Sequence, residues 1–208
     1  MKRLSIFLFL VVMASNLAIS SEWDFQMGVQ YYDAGDYANA AKHFRLAADA
    51  GDAHAQFNLG SMYKTGQGVY QSDYEAAKWF RKAAEQGDVR AQHNLGVYYY
   101  NGEGVSQSYY DAVKWYKKAA EQGYSMSQHN LGCCYKDGIG VSQNYYEAVK
   151  WFRKAAEQGY LQSQCMLGAM YVAGDKVAKD YNEAAKWLRK AAAQGDVTAK
   201  ELLELIGR

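Results

Sequence analysis

The sequence predicts an all-α protein built from stacked pairs of antiparallel helices. Three observations carry this. Trp79, Trp115, Trp151 and Trp187 stand 36 residues apart. Gly51, Gly87, Gly123, Gly159 and Gly195 keep the same step, as do the pairs Leu59-Gly60, Leu95-Gly96, Leu131-Gly132 and Leu167-Gly168. No segment alternates with the two-residue period of a half-buried strand. A fixed period of this size marks supersecondary units, each too small to bury its own apolar face, that stabilise one another by stacking. Such stacks work as extended binding surfaces, which argues for a binding protein over an enzyme.

Composition agrees. The chain has 208 residues, of which half are hydrophobic and none is proline. That excludes disordered and collagen-like classes.

Taken in order, residues 1–20 read as an export signal. Lys2 and Arg3 form a basic n-region, Ile6 to Met13 an apolar h-region, and Ala18 and Ser20 a small-residue cleavage site. The apolar run is too short to span a membrane. Retention as an N-terminal anchor is the alternative. Removing Lys2 and Arg3 leaves 23 − 2 = 21 basic against 22 acidic side chains, a net charge of −1. A near-neutral chain without a basic stripe lacks the footprint of a nucleic-acid binder. It gives no reason to expect an anionic membrane partner either. The mature chain is expected to be periplasmic or secreted, and monomeric.

Residues 21–51 form an opening helix pair with a shortened loop: Phe25-Gln26-Met27-Gly28 matches Phe57-Asn58-Leu59-Gly60 at a separation of 32 rather than 36. His43 stands where later units carry tryptophan. Four full repeats follow at 52–87, 88–123, 124–159 and 160–195, and 196–208 closes the stack with a lone helix. In 88–123, Ala91, Leu95, Tyr98 and Tyr99 recur at helical spacing, and Gly102 ends that helix. Gly102-Glu103-Gly104-Val105 makes the turn. Ser108 to Asp111 reads as a capping box, with counterparts at Ser72/Glu75, Asn144/Glu147 and Asp180/Glu183. The second helix carries Ala112, Trp115, Tyr116, Ala119 and Ala120 on its apolar side. In all, eleven helices and no sheet are expected.

Ala-Gln-His-Asn-Leu-Gly at 91–96, Gly-Glu-Gly-Val at 102–105 and Trp-Tyr-Lys-Lys-Ala-Ala-Glu-Gln-Gly at 115–123 resemble the Sel1-like repeat, a relative of the tetratricopeptide repeat. The match recurs in four units, from about Asp52 to Gly195. Proline commonly follows the loop valine in the family; this chain has Tyr70, Ser106, Ser142 and Ala178 there. The opening unit looks more like a plain tetratricopeptide repeat. The resemblance implies a right-handed α-solenoid whose concave face is lined by the first helices. It also implies an adaptor that brings proteins together or holds a peptide.

Candidate site residues follow from position. Asn58, Asn94 and Asn130 form a ladder just before Leu-Gly, broken at Met166. By resemblance that position faces the groove and bonds a peptide backbone; the alternative is that each amide bonds a neighbouring helix end. Phe57, His93, His129 and Cys165 occupy the adjoining row, and Tyr100 and Lys136 sit at variable positions. His129 and Cys133 lie one helical turn apart, but two ligands make no zinc site. No cofactor is called for. Cys133 or Cys134 could pair with Cys165 in an oxidising compartment, or all three could stay reduced.

One secreted, cysteine-rich branch of the family has been linked to penicillin binding, so an envelope enzyme acting on peptidoglycan or β-lactams is the alternative function. Ser61-Met62-Tyr63-Lys64 and Lys64-Thr65-Gly66 fit S-x-x-K and K-T-G, yet they share one lysine and cannot fill both roles. A structural spacer without a ligand is the third reading.

Overall fold

A computed structural model describes residues 20–174 and 176–207. The export signal assigned to 1–20 lies, but for Ser20, outside the described residues. Eleven helices and no strand occur among the described residues, as expected. They are α1 (20–33), α2 (Tyr37–Asp49), α3 (Ala53–Thr65), α4 (Asp73–Glu85), α5 (Val89–Asn101), α6 (Tyr109–Glu121), α7 (Ser125–Asp137), α8 (Tyr145–Glu157), α9 (Leu161–Ala173), α10 (Tyr181–Ala193) and α11 (Val197–Leu205). None of these helices is long and apolar enough to cross a membrane. The chain falls into two compact units, one through Gln107 and one from Ser108.

In the first unit α2, α3, α4 and α5 pack in succession. Phe44, Leu59, Met62 and Trp79 are buried with the alanines of α2, and Val69 of the loop closes the edge. Trp79 thus joins one repeat to the one before it. Phe80 serves the other direction, meeting Tyr98 of α5 edge-on at 5.5 Å. The Leu-Gly glycine is explained by this packing: a Cβ on Gly60 would stand 2.8 Å from the Phe80 ring. At the opening unit, His43 replaces tryptophan. Its Nδ1 lies 2.8 Å from the buried Asp24 carboxylate, and Tyr31 stacks on its ring.

The second unit repeats the scheme, with α6 to α11 packing in succession. Phe152, Leu167 and Trp187 are buried together with Ala148 and Ala156. Leu203 of α11 seals the end against Leu188 and Ala191.

Every first helix from α3 to α9 ends on a glycine in the left-handed region (Gly66, Gly102, Gly138, Gly174). The caps of the second helices differ in part from the expected box. The side chains of Ser72, Asn144 and Asp180 do accept from the backbone N–H three residues on. The reciprocal half is absent. The cap N–H of each donates instead to the carbonyl of Tyr63, Tyr135 or Tyr171 in the preceding helix. That frees Glu75, Glu147 and Glu183, each of which takes the lysine one turn on at 3.1 Å. The returning loop supplies a carbonyl that an isolated helix would lack, so the carboxylate is not needed there.

A second device holds the stack and went unnoticed in the sequence. Gln56, Gln92, Gln128 and Gln164 are buried, at 3–4% exposure. Each donates its amide N–H to a carbonyl near the end of the preceding helix: Ala48, Ala84, Ala120 and Ala156, at 3.0–3.1 Å. Their Oε1 atoms accept from a second glutamine thirty residues later, seen for Gln86, Gln158 and Gln194 at 2.8 Å. A buried amide whose donor and acceptor are both met in this way orders the helix ends it bridges.

Candidate functional site

The first helices turn Leu59, Gly60 and their repeats into the core, so the residues between them are left half-exposed. Phe57 and Asn58 of α3 are among these. With Val29 and Tyr32 of α1, Phe44 of α2 and Ser61 they line an open cavity of about 310 Å³. Its floor is aromatic: Phe57 tilts against Phe80, ring centres 5.8 Å apart. The Arg90 guanidinium of α5 lies 4.1 Å over the outer side of Phe57. Such a cation–π contact contributes about 0.5–1 kcal/mol where exposed.

The amides of Asn58, Asn94 and Asn130 make no hydrogen bond among the described residues. Of the two readings of this ladder, the helix-end bond is therefore not made. The buried glutamines do that work instead.

The other predicted residues sit differently. His93 is half-buried on α5 beside Asn94; burial, with the Lys64 charge, lowers its pKa to about 4. His129 is engaged through both nitrogens. Nδ1 lies 2.9 Å from the Ser163 hydroxyl and Nε2 3.6 Å from Cys133 Sγ. Its ring is also packed against Phe152 and Tyr160. Burial lowers its pKa too. Tyr100 is half-buried at the end of α5, where Gln107 donates to its carbonyl. Lys136 bonds Asp137 at 2.6 Å, which raises its pKa. Phe57, Asn58, His93, Asn94 and Tyr100 thus belong to the first unit, and His129, Asn130 and Lys136 to the second.

The three cysteines are free thiols. Burial pushes Cys133 up, Cys134 to about 12 and Cys165 to about 11, so all three are protonated near neutrality. Among the described residues no three His, Cys, Asp or Glu side chains gather to hold a metal ion. The Ser61 hydroxyl donates to the Phe57 carbonyl one turn back.

Two partners in the cavity, Val29 and Tyr32, were missed because the shortened loop of the opening unit breaks the 36-residue register. The glutamine ladder was legible at 56, 92, 128 and 164, with its acceptors' partners at 86, 122, 158 and 194.

A model of the Sel1 repeat matches residues 24–52, 53–88, 89–124, 125–160 and 161–196. The chain belongs to the Sel1 repeat family. The match includes the opening unit, whose short loop had set it apart. Among solved structures, the chain is 38% identical to c5321, a protective antigen present in uropathogenic Escherichia coli strains, over 86% of its length (TM-score 0.83). It covers only 39% of that longer protein. It is also 38% identical to a Sel1 repeat protein of Oxalobacter formigenes, covering 84% of this chain and 72% of the other (TM-score 0.79). A Klebsiella pneumoniae Sel1 repeat protein shares the fold at 21% identity, covering 93% of this chain and 96% of the other (TM-score 0.53). No curated protein matches the chain. The fold class is therefore the all-α repeat solenoid, a Sel1 scaffold typical of protein–protein interaction adaptors.

Proposed function

We propose that this Sel1 repeat protein is an exported, non-catalytic adaptor that holds an extended peptide segment against its first helices. One observation carries the reading: the half-exposed asparagine amides are unspent, and Asn58 opens onto an aromatic-floored cavity. A primary amide offers a donor and an acceptor, the pair that an extended backbone presents in reverse. Phe57 and Phe44 would take an apolar side chain of the same segment.

Export is supported by the basic and apolar character of residues 2–13 and by a relative that is an antigen. The near-neutral mature charge fits an adaptor that binds neither nucleic acid nor an anionic membrane. The envelope-enzyme alternative is disfavoured by the Ser61 hydroxyl, which is turned to its own helix backbone.

The test is selection of peptides from a random display library on the chain lacking residues 1–20. The proposal expects enrichment of sequences carrying an apolar anchor, with binding lost on Phe57→Ala and Asn58→Ala. Failure to enrich any sequence, or enrichment indifferent to both changes, would overturn it.

A further inference from the structure

In three loops the second glycine of the Gly-x-Gly turn is seated against the start of the preceding repeat's second helix. A Cβ on Gly68 would stand 2.0 Å from the Tyr37 carbonyl oxygen, on Gly104 2.1 Å from that of Asp73, and on Gly140 2.3 Å from that of Tyr109. All three glycines have positive φ (70°, 62° and 71°), a region costly for other residues. The fourth loop places Lys176 at this register. Lysine brings a Cβ, and no non-glycine residue among those described has positive φ. This loop cannot seat against α8 as the glycines seat against α2, α4 and α6.

Space opens on both sides of it. An open cavity of about 780 Å³ lies between α8 and residues 176–180. A smaller one of about 230 Å³ lies towards Tyr145 and Met170. Lys176 and Val177 wall both. The larger falls within the roughly 300–1,000 Å³ of sites for small organic ligands.

Its chemistry is specific. Lys150, Arg153, Lys154, Lys176 and Lys179 line it against Glu157 and Asp180. The Asp180 carboxylate is already committed to the N–H groups of Asn182 and Glu183. Arg153 is held in place by the Tyr171 hydroxyl at 2.9 Å and Glu183 at 3.5 Å. Five cations less two acids leave a lining charge of +3. Glu147 and Glu183 pair with Lys150 and Arg153 from just outside and lower it. Val149, Val177, Ala178 and the Tyr146 and Tyr171 rings supply apolar wall. A net-positive lining beside an apolar wall suits an anionic group carried on an apolar body better than a bare phosphate.

We propose that the cavity opened by Lys176 is a binding site for an amphiphilic monoanion, a single carboxylate carried on an apolar or aromatic group. A free organic acid and the C-terminal residue of a peptide share that chemistry. The site is built from α8, Tyr171 of α9 and residues 176–180, and does not depend on the asparagine ladder.

The experiment titrates the full chain, ¹⁵N-labelled, with phenylacetate, a tetrapeptide ending in a free-acid phenylalanine, the same tetrapeptide amidated, and inorganic phosphate. The acids should shift the amides of Val149, Val177 and Ala178. The amidated peptide should bind about tenfold more weakly, the scale of one charge-assisted hydrogen bond. Tighter binding of the peptide acid than of phenylacetate identifies a peptide C-terminus as the ligand; the reverse identifies a free acid. Lys176→Gly restores the seating glycine and should abolish these shifts with the melting temperature kept or raised. Lys150→Gln with Lys179→Gln should bring the acid down to the affinity of the amide, leaving the amide unchanged. Equal affinity of acid and amide, phosphate binding as tightly as either acid, or wild-type binding by Lys176→Gly would overturn the proposal.

Discussion

Replacing Gln164 by alanine tests whether the glutamine ladder stabilises the stack. Gln164 is 3% exposed, donates to the Ala156 carbonyl at 3.1 Å and accepts from Gln194 at 2.8 Å. The truncation removes both bonds, while the Ala156 carbonyl keeps the Gly159 N–H at 3.1 Å. Each lost bond contributes about 0.5–1.5 kcal/mol. The expected loss is therefore about 1–3 kcal/mol. Gln194→Ala removes the same inter-repeat bond from its exposed side, along with a bond to the Gly159 carbonyl that water can replace. It leaves Gln164 Oε1 beside a position that water reaches, so it should cost less than Gln164→Ala, about 1 kcal/mol. Gln164→Leu keeps the volume and separates packing from polarity; it should still lose most of the stability. Urea unfolding gives all three numbers, provided the denaturant slope is unchanged. Losses below about 1 kcal/mol for Gln164→Ala, or equal losses at Gln164 and Gln194, would refute the reasoning.

Further expectations follow from packing, charge and export. Gly132→Ala puts a Cβ 2.7 Å from the Phe152 ring and should destabilise the second unit by about 1–3 kcal/mol, read by thermal unfolding. His93 is half-buried and held neutral, its pKa lowered from 6.5 to about 4 by burial and the Lys64 charge. Its contribution is fully present above pH 6.5 and is lost as pH falls towards 4, by up to about 3 kcal/mol. His93→Phe, borrowing the residue at the matching position of the previous repeat, should flatten that part of the pH profile of urea unfolding. Intact-mass analysis of the protein from its native source should find a chain beginning near Ser21, and retention of Met1 would count against cleavage.

The repeat period made most of the fold legible, because a 36-residue step in Trp, Gly and Leu-Gly admits few architectures. Helix ends were legible for the same reason: Gly66, Gly102, Gly138 and Gly174 need the left-handed region, and only glycine adopts it cheaply. The reciprocal capping bond was not legible. Whether Glu75 reaches back depends on where the Tyr63 carbonyl lies in space, and a local motif does not carry that. The candidate site was half legible. Asn58 and Phe57 could be placed by register, whereas Val29 and Tyr32 enter through a loop four residues shorter. Lys176 was visible as a broken glycine, but its consequence needed the distance from Gly140 to the Tyr109 carbonyl.

Whether the first-helix face holds a peptide is tested most directly by calorimetric titration of a display-selected peptide into the wild-type chain and into Asn58→Ala/Asn94→Ala. Two backbone hydrogen bonds contribute about 0.5–1.5 kcal/mol each, so affinity should fall about 5- to 150-fold. Because neither amide bonds another of the described residues, the melting temperature should not move. Unchanged affinity per folded molecule, with a lowered melting temperature, would contradict the account and return both asparagines to the scaffold.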